Sequence, residues 1–254
     1  MKRTLALLTI IFLLLAPAAL PAQTAAALIR QGDALEARLQ TQEALDAFLQ
    51  AEQLVSPPPD LLVRISKQYS GLMEDAPNRP AKKALGEKSL AYAQKALALD
   101  PNHADANLSL AVCYGKLTPF MGNKEKVAAS KLIKQYADRA ITLDPKSDYA
   151  HHLLGRWNQE LASMGGLQKS LAKLIYGGLP DASFDKALKE FDQARKLRPD
   201  RLIHQVEYAR TLALLGRKEE AKRALEKALA LPNKEKDDPE AKARARQTLA
   251  EISE

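Results

Sequence analysis

The side chains able to do chemistry are few and poorly spaced for it. His103, His151, His152 and His204 are the only imidazoles in 254 residues, and Cys113 is the only thiol. Adjacent residues on a helix point about 100° apart, so His151 and His152 cannot grip one ion as an i, i+4 pair would. The chain contains no His-Glu-x-x-His, no Gly-x-Ser-x-Gly and no phosphate-cradling glycine loop. The pattern argues against an enzyme and implies no metal and no cofactor. What it offers instead is binding chemistry, above all at Arg156, whose planar fork can donate two parallel hydrogen bonds to a carboxylate or phosphate.

The elements that must position such side chains show themselves at their ends. Ala96-Leu97-Ala98-Leu99-Asp100-Pro101, Ala140-Ile141-Thr142-Leu143-Asp144-Pro145 and Ala194-Arg195-Lys196-Leu197-Arg198-Pro199 each carry alanine five residues before proline. Alanine lets a neighbouring helix approach, and proline ends the helix because it cannot extend the hydrogen-bond ladder. Reading outward, each ending closes a pair of helices. Leu28, Gly32 and Leu35 precede Ala44, Phe48 and Ala51; Leu62, Ile65 and Tyr69 precede Ala93 and Ala96. Leu110, Ala111 and Tyr114 precede Ala137 and Ala140; Leu154 and Gly155 precede Ala187, Phe191 and Ala194. Tyr208, Ala209 and Leu212 precede Ala221, Leu225 and Ala228. This resembles the tetratricopeptide repeat and predicts an all-α, right-handed helical solenoid of about five helix pairs. A charged last helix, about residues 239–252, caps it.

Spacing varies along the array. Gly32 to Ala44 and Ala209 to Ala221 are both twelve residues, whereas Gly155 to Ala187 is thirty-two. Extra residues also enter the second and third pairs, around 74–85 and 115–129. The insertion at about 161–184 holds Leu167, Leu171, Leu174 and Ile175 at helical spacing, with Lys173 on the other side, between the glycine pairs 165–166 and 177–178. It reads as a small amphipathic helix. Either its apolar stripe covers the solenoid's own core, or it forms a lid over the concave groove or a membrane contact. In the tetratricopeptide register Lys67, Lys116, Tyr149, His152, Arg156 and Arg210 face that groove and are the candidate ligand-binding residues. His151 falls at the packing position, and Trp157 is expected under the insertion.

The first 22 residues stand apart. Lys2-Arg3, the apolar run Leu5–Leu15 and a small-residue stretch to Ala22 form a secretory leader too short to span a bilayer. The expectation is an exported, periplasmic protein with residues 23–254 as one repeat domain and no membrane span after cleavage. A single cysteine forbids an internal disulfide. The net charge is +7, which does not call for nucleic acid. It is uneven: residues 103–179 hold ten basic and six acidic side chains, residues 180–254 seventeen and fifteen. The more positive middle suits an anionic partner.

Lys124-Glu125-Lys126-Val127, the Ala140–Pro145 ending, Ala150-His151-His152-Leu153-Leu154-Gly155-Arg156-Trp157, Tyr176-Gly177-Gly178-Leu179-Pro180 and Ala182–Leu188 together resemble the regulator of microtubule dynamics family of tetratricopeptide proteins. That resemblance implies a binding function associated with microtubules, or with membrane contacts and lipids. The expected function is a non-catalytic exported scaffold that holds a peptide or protein partner in its concave groove. The alternative is a module for anionic lipid or a membrane surface.

Overall fold

The structure, a computed structural model, describes residues 24–178 and 180–253. The leader, residues 1–22, lies outside them. All regular structure among the described residues is helical. The helices run as pairs: α1 (Ala25–Glu36) with α2 (Thr41–Glu52), α3 (Pro59–Leu72) with α4 (Arg79–Leu99), and α5 (Ala104–Leu117) with α6 (Asn123–Leu143). Then α7 (Asp148–Ala162) and an interposed α8 (Gly166–Tyr176) precede α9 (Phe184–Leu197); α10 (Leu202–Leu214) pairs with α11 (Lys218–Leu229), and α12 (Asp238–Ser253) closes the array.

The sequence sets these boundaries by local chemistry. Side-chain acceptors on Thr24, Asn78 and Ser183 take the amide hydrogens of Ala27, Ala81 and Lys186 at 3.2, 2.9 and 3.1 Å, which satisfies donors otherwise orphaned at a helix start. Gly216, with φ +74°, turns the chain from α10 into α11; Leu39 makes the same turn between α1 and α2 at φ 59°, a conformation that costs a side chain about 1 kcal/mol or more.

Two glycines explain the pairing. A Cβ on Gly32 would run into the Phe48 ring, and one on Gly155 would lie 2.6 Å from Phe191. In each case the second helix drives a phenylalanine into a notch left in the first. The second and third repeats lack that phenylalanine and carry alanine there, Ala93 and Ala137, both fully buried. Tyrosine pairs fill the space beside them: Tyr69 stacks on Tyr92 at 5.6 Å and Tyr114 on Tyr136 at 6.1 Å.

The expected insertions in these two repeats are mostly extra helix rather than loop. α4 and α6 each run 21 residues, against 12 in α2 and α11. The added residues are largely Ala, Lys, Glu and Leu, which favour helix, so lengthening α4 and α6 is easier than looping out.

Each second helix packs on the first helix of the next repeat, α2 on α3, α4 on α5, α6 on α7 and α9 on α10. The first helices α3, α5, α7, α10 and α12 also touch in succession. They lie side by side and form the inner surface.

Candidate functional site: the face of the first helices

The predicted groove cations lie on this face, and each is tied to a neighbour. In α3, Lys67 meets Glu36 of α1 at 2.6 Å, and Arg64 meets Asp33 at 2.7 Å. Lys116 in α5 reaches back to the C-terminal end of α3, donating to the Ser70 carbonyl at 3.1 Å and to Glu74 at 2.9 Å. Lys67 remains largely open to solvent, with 63% of its side chain exposed. Such exposed pairs add little stability, so Lys67 can change partners cheaply.

Further along, Arg156 of α7, Arg210 of α10 and Arg244 of α12 converge on Glu207 of α10 at 3.2, 2.9 and 3.3 Å. The Glu207 side chain is fully buried while the three arginines keep 26–35% of theirs exposed. Burial pushes the Glu207 carboxyl up, but Arg156, Arg210 and Arg244 more than offset it and hold the group below its ordinary value. Glu160 and Glu240, both at the rim, take second contacts from Arg156 and Arg244. The buried Nε of Arg210 lacks a hydrogen-bond partner, and that of Arg244 meets Glu207 as an ion pair without hydrogen-bond geometry.

Next to this cluster His151 keeps the packing position expected of it, against α9, whereas His152 is not the open groove residue its register predicts. His152 is the buried one, 3% exposed, stacked on Tyr149 at 5.2 Å and set edge-on to Phe191 at 5.4 Å. His151, rotated by one helical step, faces Glu190 of α9 at 2.7 Å. The register misleads because Phe191 occupies the Gly155 notch and extends far enough to cover His152.

His152 Nδ1 lies 3.1 Å from Nδ1 of the buried His204, whose Nε2 is 2.7 Å from Asp148. Asp148 fixes the tautomers: His204 donates from Nε2 to the carboxylate and accepts at Nδ1 from His152. Burial lowers the proton affinity of both rings. Arg201 joins Asp148 at 2.5 Å and sits over the Tyr149 ring at 5.5 Å.

The inserted element is a helix, as its spacing predicts. Leu174 is 79% exposed, Lys173 is exposed and Ile175 half-buried. The side chains of Leu167 and Leu171 lie outside the described residues. α8 leans on α6, and a cleft of about 420 Å³ opens beside it between Leu161, Met164, Lys169, Phe184 and Leu215. A second, of about 610 Å³, is lined by Met73, Glu74, Arg79, Lys116 and Phe120. Trp157, expected under the insertion, packs on α6: its indole donates to the Ser130 carbonyl at 3.0 Å and Lys134 caps its ring at 5.3 Å.

Sequence reasoning missed Glu207, Asp148, Arg201, His204 and Arg244. One signal was available. Arg156 and Arg210 occupy the same register position, each directly after the small residue, so they stack one repeat apart and need a carboxylate between them. Also missed was the connection between α11 and α12, residues 230–237. The inter-repeat connections 100–103, 144–147 and 198–201 have four residues each and 53–58 has six, whereas this one has eight.

Helix pairs in series, small residues at fixed register and a closing polar helix define a tetratricopeptide-type solenoid. Among solved structures, a thermophilic TPR protein of Thermus thermophilus shares the fold with a TM-score of 0.62 at 18% identity, over 89% of this chain and 100% of that one. Within that class the chain belongs to the family described as regulator of microtubule dynamics protein 1-3, whose model matches residues 28–253. It is 30% identical over 200 residues to regulator of microtubule dynamics protein 1 of Pongo abelii, covering 76% of this chain and 61% of that protein. To regulator of microtubule dynamics protein 3 of Xenopus laevis it is 26% identical over 216 residues, 85% of this chain and 47% of the relative. The chain thus spans between about half and three-fifths of these relatives' length. Among the described residues no helix is long and apolar enough to cross a membrane, and no group of three or more His, Cys, Asp or Glu is placed to hold a metal ion.

Proposed function

We propose that the protein is a non-catalytic scaffold, exported to the periplasm by its leader, that binds a peptide or protein segment along the face of its first helices. The observation that carries this reading is the run of part-exposed charged side chains on that face. Lys67, Lys116, Arg156, Arg210 and Arg244 come from successive repeats, and each already holds a carboxylate of the chain itself. A partner's acidic groups can substitute for the rim carboxylates Glu160 and Glu240 at little cost, because those pairs are solvated. A photo-crosslinker replacing Lys67 should yield a discrete adduct in envelope preparations, and one replacing Lys131 on the outer helix α6 should not. Equal patterns at the two positions, or no adduct at Lys67, would sink the proposal.

A second reading has its own support. Leu174 is exposed on an amphipathic helix beside exposed Lys169 and Lys173, an arrangement suited to an anionic membrane surface. Flotation with phosphatidylglycerol liposomes at low salt, where attraction is least screened, should carry the protein upward and fail for Leu174→Glu. Protein that stays unbound at low salt rejects this reading.

A further inference from the structure

The long α11–α12 connection does more than join two helices. Lys236 donates to Thr41 Oγ1, at the start of α2, at 3.2 Å and pairs with Asp75 in the α3–α4 turn. Its neighbour Asp237 lies within the electrostatic reach of Lys116 on α5 and of Tyr149 on α7. Glu235 takes Arg201 at 3.1 Å, and Lys234 takes Asp200 at 3.2 Å, both at the entry to α10. A stretch of four residues therefore contacts the first, second and fifth repeats of the array, across sequence separations of up to 195 residues.

Its own shape is fixed locally. Asp238, 1% exposed, accepts the backbone amides of Lys234 and Glu235 at 2.7 and 2.8 Å, and Lys242 holds the Leu231 carbonyl at 2.5 Å. The connection is thus a preformed turn that projects an acid, a base and an acid, Glu235, Lys236 and Asp237, onto the face of the first helices.

We infer that residues 234–237 are a built-in occupant of the peptide-binding face, and that the face takes partner segments bearing the same acid–base–acid triplet, which must displace this turn to bind. The inference rests on the peptide-binding reading above and names the ligand chemistry for it. The acceptors for the base are Asp75 and Thr41; the donor for the first acid is Arg201, and the second acid, Asp237, has the Lys116 cation in its field. Two features distinguish this turn from an ordinary connection. At eight residues it is longer than the six of 53–58 and twice the four of the other three repeat junctions, and the base at its tip, Lys236, pairs with the first and second repeats rather than with the helices it joins.

Tethering makes the turn a strong competitor. A short tether presents a segment at an effective concentration of order 1 mM, so a free segment binding the open face with a Kd of about 100 μM is weakened roughly tenfold in the intact protein.

The test uses the full mature chain and a fluorescent peptide of residues 230–239 as the probe. Replacing residues 233–237 by Gly and Ser at constant length should give saturable binding of this peptide, at least tenfold tighter than to the unaltered protein. A peptide with Glu235, Lys236 and Asp237 reversed in charge should not bind. Asp75→Lys, at a residue with 61% of its side chain exposed, should open the face without touching the connection and raise the affinity for a peptide whose Lys236 is changed to Glu. That second variant keeps the test valid should the Gly/Ser chain fold poorly. Equal binding of the probe by altered and unaltered protein, or a loss of stability with no gain in binding, overturns the inference and leaves the turn a structural latch. If the Gly/Ser variant still gives the Lys67 crosslink but not the probe complex, only the triplet chemistry falls; if it gives neither, the peptide-binding reading falls too.

Discussion

The junction between the second and third repeats and the junction between the fourth and fifth solve one packing problem with opposite chemistry. At the first, Ser66 donates to the Ser89 carbonyl at 2.9 Å and Ser89 to the Ser66 carbonyl at 2.8 Å, with the Cys113 thiol 3.1 Å from Ser89 Oγ. Every group is small and neutral, and burial pushes the Cys113 thiol up, which keeps it neutral. At the second, Glu207, Asp148, His152 and His204 are buried together with parts of Arg156, Arg201, Arg210 and Arg244. Small neutral groups let helices meet closely at low cost. Ions hold helices only while every partner is present, because the desolvation of each is offset by the others. One end of the array is thus stiffened by shape, and the other by charge that solution conditions can reach.

The largest expected effect follows from Glu207. Glu207→Gln removes the buried anion shared by three guanidinium groups, and breaking such a set costs about 3–5 kcal/mol. Urea unfolding followed by circular dichroism should show the loss as a lower midpoint. Glu74→Gln, which breaks the part-exposed pair with Lys116, should cost under about 1 kcal/mol. A Glu207→Gln loss no larger than that would mean the arginines are solvated and the contrast between the junctions is unreal.

Packing by shape was legible in the sequence where a ring meets a glycine, and the charged junction was not. Gly32, Gly155, Phe48 and Phe191 announce their pairing because a missing Cβ and a ring are complementary shapes at fixed spacing. The alanine before each terminal proline does the same for the helix ends. Charged residues carry no such spacing. Arg156 was visible as a cation on the inner face, but Glu207 looks in sequence like any helical glutamate, and only the approach of α7, α10 and α12 makes it a buried hub. His152 reads as an open groove residue because register counts turns and cannot count how far Phe191 extends. The 230–237 connection reads as a polar loop, since its partners are Thr41 and Asp75, at the opposite end of the chain.

Acid should separate the two junctions next. His152 and His204 bind protons less readily when folded than when unfolded, first because they are buried and then, for His152, because His204, Arg156, Arg201 and Arg244 face it. Between the ordinary histidine value near 6.5 and the lower folded values the unfolded chain binds more protons, so their contribution is complete above about pH 6.5 and is lost as pH falls below it. A tenfold difference in proton affinity corresponds to about 1.4 kcal/mol, enough to read as a falling urea midpoint between pH 7.5 and 5.5. His152→Gln should flatten that slope while lowering stability at neutral pH. The carboxyls of Asp148 and Glu207, held low, enter only at more acid pH. A wild-type midpoint that does not move across this range would show the histidines to be solvated.

A smaller effect than that of Glu207 belongs to the neutral junction. Ser66→Ala deletes one hydroxyl that donates to a carbonyl already inside α4, so the loss is that of a single neutral hydrogen bond, about 0.5–1.5 kcal/mol. Its size should be the same at pH 7.5 and 5.5, because no group within that contact changes charge there. Comparing the two variants by pH places each cost on its own junction: a Ser66→Ala penalty that grows with acid would mean that protonation of the histidines loosens the whole array. A constant one confines the acid sensitivity to the fourth and fifth repeats, where Arg201 also holds the turn at Glu235, and predicts that mild acid releases that turn before it unfolds the rest.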